Sequence, residues 1–162
     1  MAIKSSSQSH LSNLTLIREF RQGTPIAQLP HLTVDRLLGT WHGEAVTLYP
    51  DWRSPDTYPT KLSISREGDR LSQHLSAPQF DFTSTAVISG SRLQFDRGTP
   101  PVQVLLLPDG ASCTTPRTIL NRQPFFIEMG WLLDENHRQR MIRRYDERGG
   151  WVSLTLIIER KQ

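Results

Sequence analysis

The chain has 162 residues, 36% of them hydrophobic and 22% charged, which suits one domain with a sizeable core. Its 19 basic and 16 acidic side chains leave a formal charge of +3, too small an excess to point to nucleic acid. One cysteine, Cys113, excludes a disulfide framework and a CxxC metal or redox site, so a reducing, cytoplasmic setting is expected.

Met1 to His10 is polar and serine-rich, with no apolar segment behind Lys4, and does not read as a secretory signal. Residues 1–12 are expected to be a disordered tail ahead of a single domain over 13–162. Leu14 to Phe20 fits a short helix or an extended arm, and periodicity does not separate the two. Leu32 to Leu38 predicts a helical turn with Thr33 as N-cap and Gly39 as C-cap. From Trp41 onward the pattern predicts strands at 41–49, 60–66, 70–77, 80–89, 91–96, 101–107, 111–114, 125–133, 138–145 and 151–159. Turn signals separate them, among them Pro50-Asp51, Glu67-Gly68-Asp69, Ser89-Gly90, Pro108-Asp109-Gly110 and Arg148-Gly149-Gly150. The longest apolar runs, such as Val102 to Leu107, are too short to span a bilayer. Short strands joined by tight turns predict an all-β fold: a single antiparallel barrel of eight to ten strands with a short N-terminal helix.

The last quarter carries the chemistry. An apolar strand holding Glu128 leads through a polar turn, Asp134 to His137, into a strand with four arginines, Arg138, Arg140, Arg143 and Arg144. Period two places Arg138, Arg140, Ile142 and Arg144 on one face. An unpaired buried charge is very costly, so these arginines either form a solvated outer face or meet an acid. Facing into a concave sheet, they would line the mouth of a pocket for a carboxylate ligand. Glu128 likewise has two readings, a pocket residue or a structural partner of the Arg143 and Arg144 region. In the final strand, Val152, Leu154, Leu156 and Ile158 share one face and Ser153, Thr155, Ile157 and Glu159 the other, as in a sheet with one buried face. Trp41 and Trp131 read first as core side chains, His42 and His74 as structural histidines, and Cys113 as a small buried hydrophobe. No Ser-His-Asp, zinc or phosphate-loop pattern is present.

Leu38-Gly39-Thr40-Trp41-His42-Gly43-Glu44, after a short helix, resembles the opening of calycin barrels. There a glycine lets the chain turn close to the barrel base and an indole plugs that end. Glu128-x-x-Trp131-Leu132, Asn136-His137-Arg138-Gln139-Arg140 and the closing Glu159-Arg160 resemble the S-type phycobiliprotein chromophore lyases of cyanobacteria and related algae. The chain departs from that pattern at His137, where an apolar residue is usual, and at Ile158, where serine is usual. The resemblance implies a calycin (lipocalin-like) barrel that binds an open-chain tetrapyrrole, a bilin of the phycocyanobilin type, as substrate. It further implies attachment of that bilin to a cysteine of a phycobiliprotein subunit. On the matching positions, Glu128 would be the catalytic acid, and Trp131, Arg138, Arg140 and Glu159 would bind the ligand, with arginines gripping the propionates. Arg144 joins them through its place on the same face. No metal, permanent cofactor, nucleic acid or membrane span is expected, and a homodimer is allowed. The rival readings are a non-catalytic binder of bilin, haem or another apolar carboxylate, and a protein-interaction barrel whose arginine stripe meets an acidic partner.

Overall fold

A computed structural model describes residues 8–9, 12–17, 19, 21–23, 31–95, 98 and 100–162. A two-residue strand, β1 (Gln8–Ser9), precedes helix α1 (Val34–Leu37). The strands then run β2 (Gly39–Leu48), β3 (Asp56–Glu67), β4 (Arg70–Ala77), β5 (Phe80–Ser89), β6 (Arg92–Phe95) and β7 (Val102–Leu106). They continue as β8 (Ala111–Pro116), β9 (Ile119–Leu120), β10 (Phe125–Leu132), β11 (His137–Tyr145) and β12 (Trp151–Lys161). Ten of them close into one antiparallel barrel in the order β10-β11-β12-β2-β3-β4-β5-β6-β7-β8, sealed by the β8–β10 pair. The remaining two, β1 and β9, pair with each other.

Local chemistry explains most of these elements. Glu67 pairs with Arg70 across the two-residue loop Gly68-Asp69, and Gly68 has φ 58°, the left-handed value such tight hairpins demand. In the β10–β11 turn, the Asp134 carboxylate accepts hydrogen bonds from the backbone N–H of Asn136 (2.7 Å) and His137 (2.8 Å), which fixes the reversal. α1 is a single turn. Thr33 stands at its N-cap without a capping bond from its hydroxyl, and Leu38, with Gly39 following at φ 114°, ends it. Of the tail expected over residues 1–12, most lies outside the described residues, whereas Gln8–Ser9 forms a ladder with Ile119–Leu120. Residues 12–17 form neither helix nor strand.

The core gathers at one end of the barrel. α1 buries Val34 and Leu37 there, against Trp41, Leu62, Ile64 and Leu71. Trp41 is 0% exposed, and its indole N–H donates to the Leu37 carbonyl at 2.8 Å. That bond satisfies one of the carbonyls that a helix C-terminus leaves without an intrahelical partner. The indole therefore plugs the barrel and ties the helix to it at once.

β12 has one buried face, but it is the polar one. Ser153, Thr155, Ile157 and Glu159 point inward and are buried, while Leu156 and Ile158 on the outside are 44% and 55% exposed. The usual apolar-in order is reversed because beyond the Trp41 end the barrel interior is a cavity rather than packed hydrocarbon. Among the described residues, no helix is long and apolar enough to cross a membrane.

Replacing Trp41 by alanine should lower unfolding free energy by about 3–5 kcal/mol, the range for a large buried aromatic. Urea unfolding followed by circular dichroism measures this, and a loss below ~1 kcal/mol would place the indole outside the core.

Candidate functional site

The barrel encloses a cavity of about 1120 Å³. Leu37, Leu62, Ile64, Leu71, Leu93 and Phe95 form its apolar end near α1. Toward the β11–β12 turn the walls become aromatic, with Tyr58, Phe80, Phe82, Phe125, Phe126 and Tyr145. Tyr58 and Phe80 meet edge to face at 6.5 Å between centroids, and Phe125 stacks on Tyr145 at 4.7 Å. The same opening carries Arg144, Asp146, Glu147 and Arg148.

One side of the cavity is an ion cluster. β11 and β12 pair so that Arg138 lies opposite Glu159. Arg138 Nε donates to Glu159 Oε2 at 2.7 Å. Arg140 donates to the same carboxylate twice, from Nε to Oε2 at 3.0 Å and from Nη2 to Oε1 at 2.9 Å. Its third nitrogen, Nη1, donates to Glu128 Oε2 on β10 at 3.2 Å. Glu159 is 0% exposed, and Arg138 and Arg140 are 6% exposed. The Arg138 guanidinium also lies over the Trp41 ring, 4.5 Å from its centroid.

The backbone makes room for this cluster at Gly43, beside Glu159 in the β2–β12 ladder. A Cβ there would come within 2.6 Å of Glu159 Cγ and 2.9 Å of the Ile158 carbonyl oxygen. Only a residue without a side chain leaves the carboxylate its place. Electrostatics then balance burial. Burial pushes the Glu159 carboxyl up, but the charges of Arg140 and Arg138 and their hydrogen bonds outweigh it and hold the carboxyl below its ordinary value. Burial likewise weakens proton binding at Arg140, yet Glu159 and Glu128 together raise it above the ordinary arginine value. At Arg138 burial prevails over Glu159, and the proton is held less tightly than usual.

The stripe Arg138, Arg140, Ile142, Arg144 faces inward as one row of cavity wall, together with Glu128. Two expectations need correction. Arg138, over the Trp41 ring, and Arg140, buried against Glu159, sit deep in the barrel rather than at its mouth, and Arg144 is the member near the opening. Glu128 is opposite Ile142 and bonds Arg140, not Arg143 or Arg144. Trp131 stands apart from the site. It is three residues beyond Glu128 on β10, opposite Gln139, on the face turned away from the cavity, so it cannot stack on a ligand held there. Cys113 is buried and does not line the cavity; burial, aided by the Glu128 charge, pushes its thiol up, away from the reactive thiolate. The sequence reading missed Gly43 and Thr60 as site residues. The signal for both was present in the β12 alternation, since a strand with Thr155 and Glu159 on its inner face requires small or polar neighbours on β2 and β3.

Glu159→Gln removes the charge that both arginines share. Leaving them without it should cost about 3–5 kcal/mol at neutral pH, the range for breaking a buried pair. The folded carboxyl lies below the unfolded one, so its stabilisation is complete above the ordinary glutamate value of about 4.3 and is lost as pH falls through the depressed folded value. Melting temperatures recorded from pH 7 downward should show a shallower acid decline in Glu159→Gln than in the parent chain.

No curated protein matches the chain. Several solved structures resemble it, two of which are informative. One, a protein of unknown function of the DUF3598 family from Nostoc punctiforme PCC 73102, is 50% identical, with a TM-score of 0.83 over 87% of this chain and 53% of that one. The chain thus spans about half the length of that relative. The other, the S-type phycobiliprotein lyase CPES from Guillardia theta, has a TM-score of 0.59 at 12% identity, over 80% of this chain and 90% of that one. The likeness to lyases seen in the sequence therefore holds for the calycin-like fold. The family model that matches, over residues 28–162, is a different one: the chain belongs to the family of the C-terminal domain of Biogenesis factor required for ATP synthase 1.

Proposed function

We propose that the barrel is a binding protein for an extended, conjugated apolar molecule of the bilin type. The observation that carries this reading is the cavity itself. Ordinary ligand pockets measure roughly 300–1,000 Å³, and this one reaches about 1120 Å³. Its aromatic end suits flat rings, and Glu128 offers a carboxylate to ring N–H groups from an otherwise apolar strand. Arg144 and Arg148 at the opening suit acidic side groups that remain near water. The fold shared with a phycobiliprotein lyase supports the same reading as analogy only. Transfer of the bilin to a cysteine of a phycobiliprotein subunit is the enzymatic extension of this proposal. The chain's own Cys113 is buried away from the cavity, so the acceptor thiol would come from the partner.

A second reading has its own support. The family description names a biogenesis factor required for ATP synthase. The outer face of β12 and its neighbours exposes Leu48, Met141, Leu156 and Ile158, which are apolar and lie on three adjacent strands. Such a surface suits a protein partner, and an ATP synthase subunit is the one the description suggests.

Titration with phycocyanobilin should give a saturable, one-to-one change in its absorbance, and Glu128→Gln should alter the bound spectrum. A flat titration would reject the bilin reading. The double variant Leu156→Lys, Ile158→Lys should leave the titration unchanged. If it alone abolishes binding to a purified ATP synthase subunit in a pull-down, the assembly reading prevails.

A further inference from the structure

We propose that the outer face of β11, β12 and β2 docks a second copy of this chain across a twofold axis at Leu156, with Arg143 of each copy against Glu44 of the other.

The strand register draws this face. Leu156 lies opposite Met141 on β11 and Val46 on β2. Two residues before it, Leu154 lies opposite Arg143 and Leu48. Two residues after it, Ile158 lies opposite Gln139 and Glu44. Side chains two apart on a strand share a face, so these residues surround Leu156 on the outside of the barrel. Most of them are apolar, and Leu48, Met141, Leu156 and Ile158 are 36–55% exposed. A contiguous apolar patch on a sheet face marks a protein partner.

The charges choose that partner. Arg143 and Glu44 are the charged members of the set, and both are exposed. Arg143 packs on the Tyr145 and Trp151 rings, and among the described residues neither Arg143 nor Glu44 forms an ion pair. They stand at opposite corners, each one strand and two residues from Leu156, in opposite directions. A twofold axis in the plane of the sheet, through Leu156 and perpendicular to the line between them, exchanges the corners. It lays Leu156 on its symmetry mate and joins Arg143 to Glu44 twice. A twofold contact between identical chains requires this self-complementarity. A strongly acidic or basic partner would need a face of one sign, and this one sums to zero. With about 4.8 Å between strands and about 3.3 Å per residue, the corner line runs roughly 35° from the strands. The two β12 strands then cross at roughly 70°, near the orthogonal class of sheet packing.

The consequence for function is competition. A second copy covers Leu156 and Ile158, so self-association and capture of another protein on this face exclude each other. The cavity is lined by the inward residues of the same strands and stays open to ligand.

Sedimentation velocity on the full chain at about 5–500 µM should show a monomer–dimer equilibrium with a dissociation constant of about 1–100 µM, as suits a small interface. Arg143→Glu sets a glutamate against Glu44, and Glu44→Arg sets an arginine against Arg143. Each variant alone should dimerise at least about tenfold more weakly, because like charges then meet at both corners. Both side chains are exposed, so neither change should lower the melting temperature. Mixed one to one, the two variants should associate with the affinity of the parent chain, since every corner of the mixed pair joins opposite charges. A parent chain that stays monomeric throughout that range, or single variants that dimerise as the parent does, would overturn the proposal. Weakened variants that do not recover on mixing would overturn it too, because the twofold pairing demands recovery. The experiment uses no bilin and no ATP synthase subunit, so its failure leaves the two readings of function standing.

Discussion

The structure turns on two guanidinium groups inside a β-barrel. Arg138 and Arg140 are buried, and an isolated buried charge would be untenable. Glu159 holds both, and Glu128 takes the remaining nitrogen that Arg140 offers. The cluster sums to zero charge and spans β10, β11 and β12. It also restrains its surroundings. Gly43 must lack a side chain for Glu159 to fit, and the Trp41 indole lies under the Arg138 guanidinium. The plug of the barrel and its polar wall are therefore one packed unit, in which a slip of one residue in β12 would turn Glu159 outward and strand both arginines.

That unit also explains why β12 is built the wrong way round for an ordinary half-buried strand. Its inner face carries serine, threonine and glutamate, and its outer face carries leucine and isoleucine. A filled barrel would need the opposite order. A barrel with a cavity tolerates hydrogen-bonding groups inside and leaves the apolar residues of this strand exposed. The cavity and the exposed apolar face are two consequences of one alternation, so the two proposed readings are compatible on the same scaffold.

The comparisons fit this separation of scaffold and site. A calycin-like barrel is shared with a phycobiliprotein lyase at an identity too low to carry activity. The family to which the chain belongs is named for a biogenesis factor required for ATP synthase. A fold of this kind hosts unrelated functions, and what distinguishes them is the set of side chains inside it and on its surface. Here that set is an aromatic opening and a neutral ion cluster.

Strand positions were readable from the sequence because their causes are local. Period-two alternation and turn residues such as Gly68 and Asp134 mark each hairpin, and all ten barrel strands lie close to where those signals put them. The shared face of Arg138, Arg140 and Arg144 followed from spacing alone. The direction of that face did not, because inward or outward is decided only when β8 closes onto β10 and the barrel acquires an interior. Trp131 illustrates the same limit: its spacing from Glu128 set it on the other face, and only the closed sheet showed which face held the cavity. The acid that neutralises the arginines comes from β12, nineteen residues beyond Arg140, and pairing across that distance depends on register rather than on local propensity. The sequence by itself determined the strands, the turns and the arginine row. The tertiary structure decided that the row points inward and that its counter-charge is the protein's own, because both depend on closure of a sheet whose partners are distant in the chain.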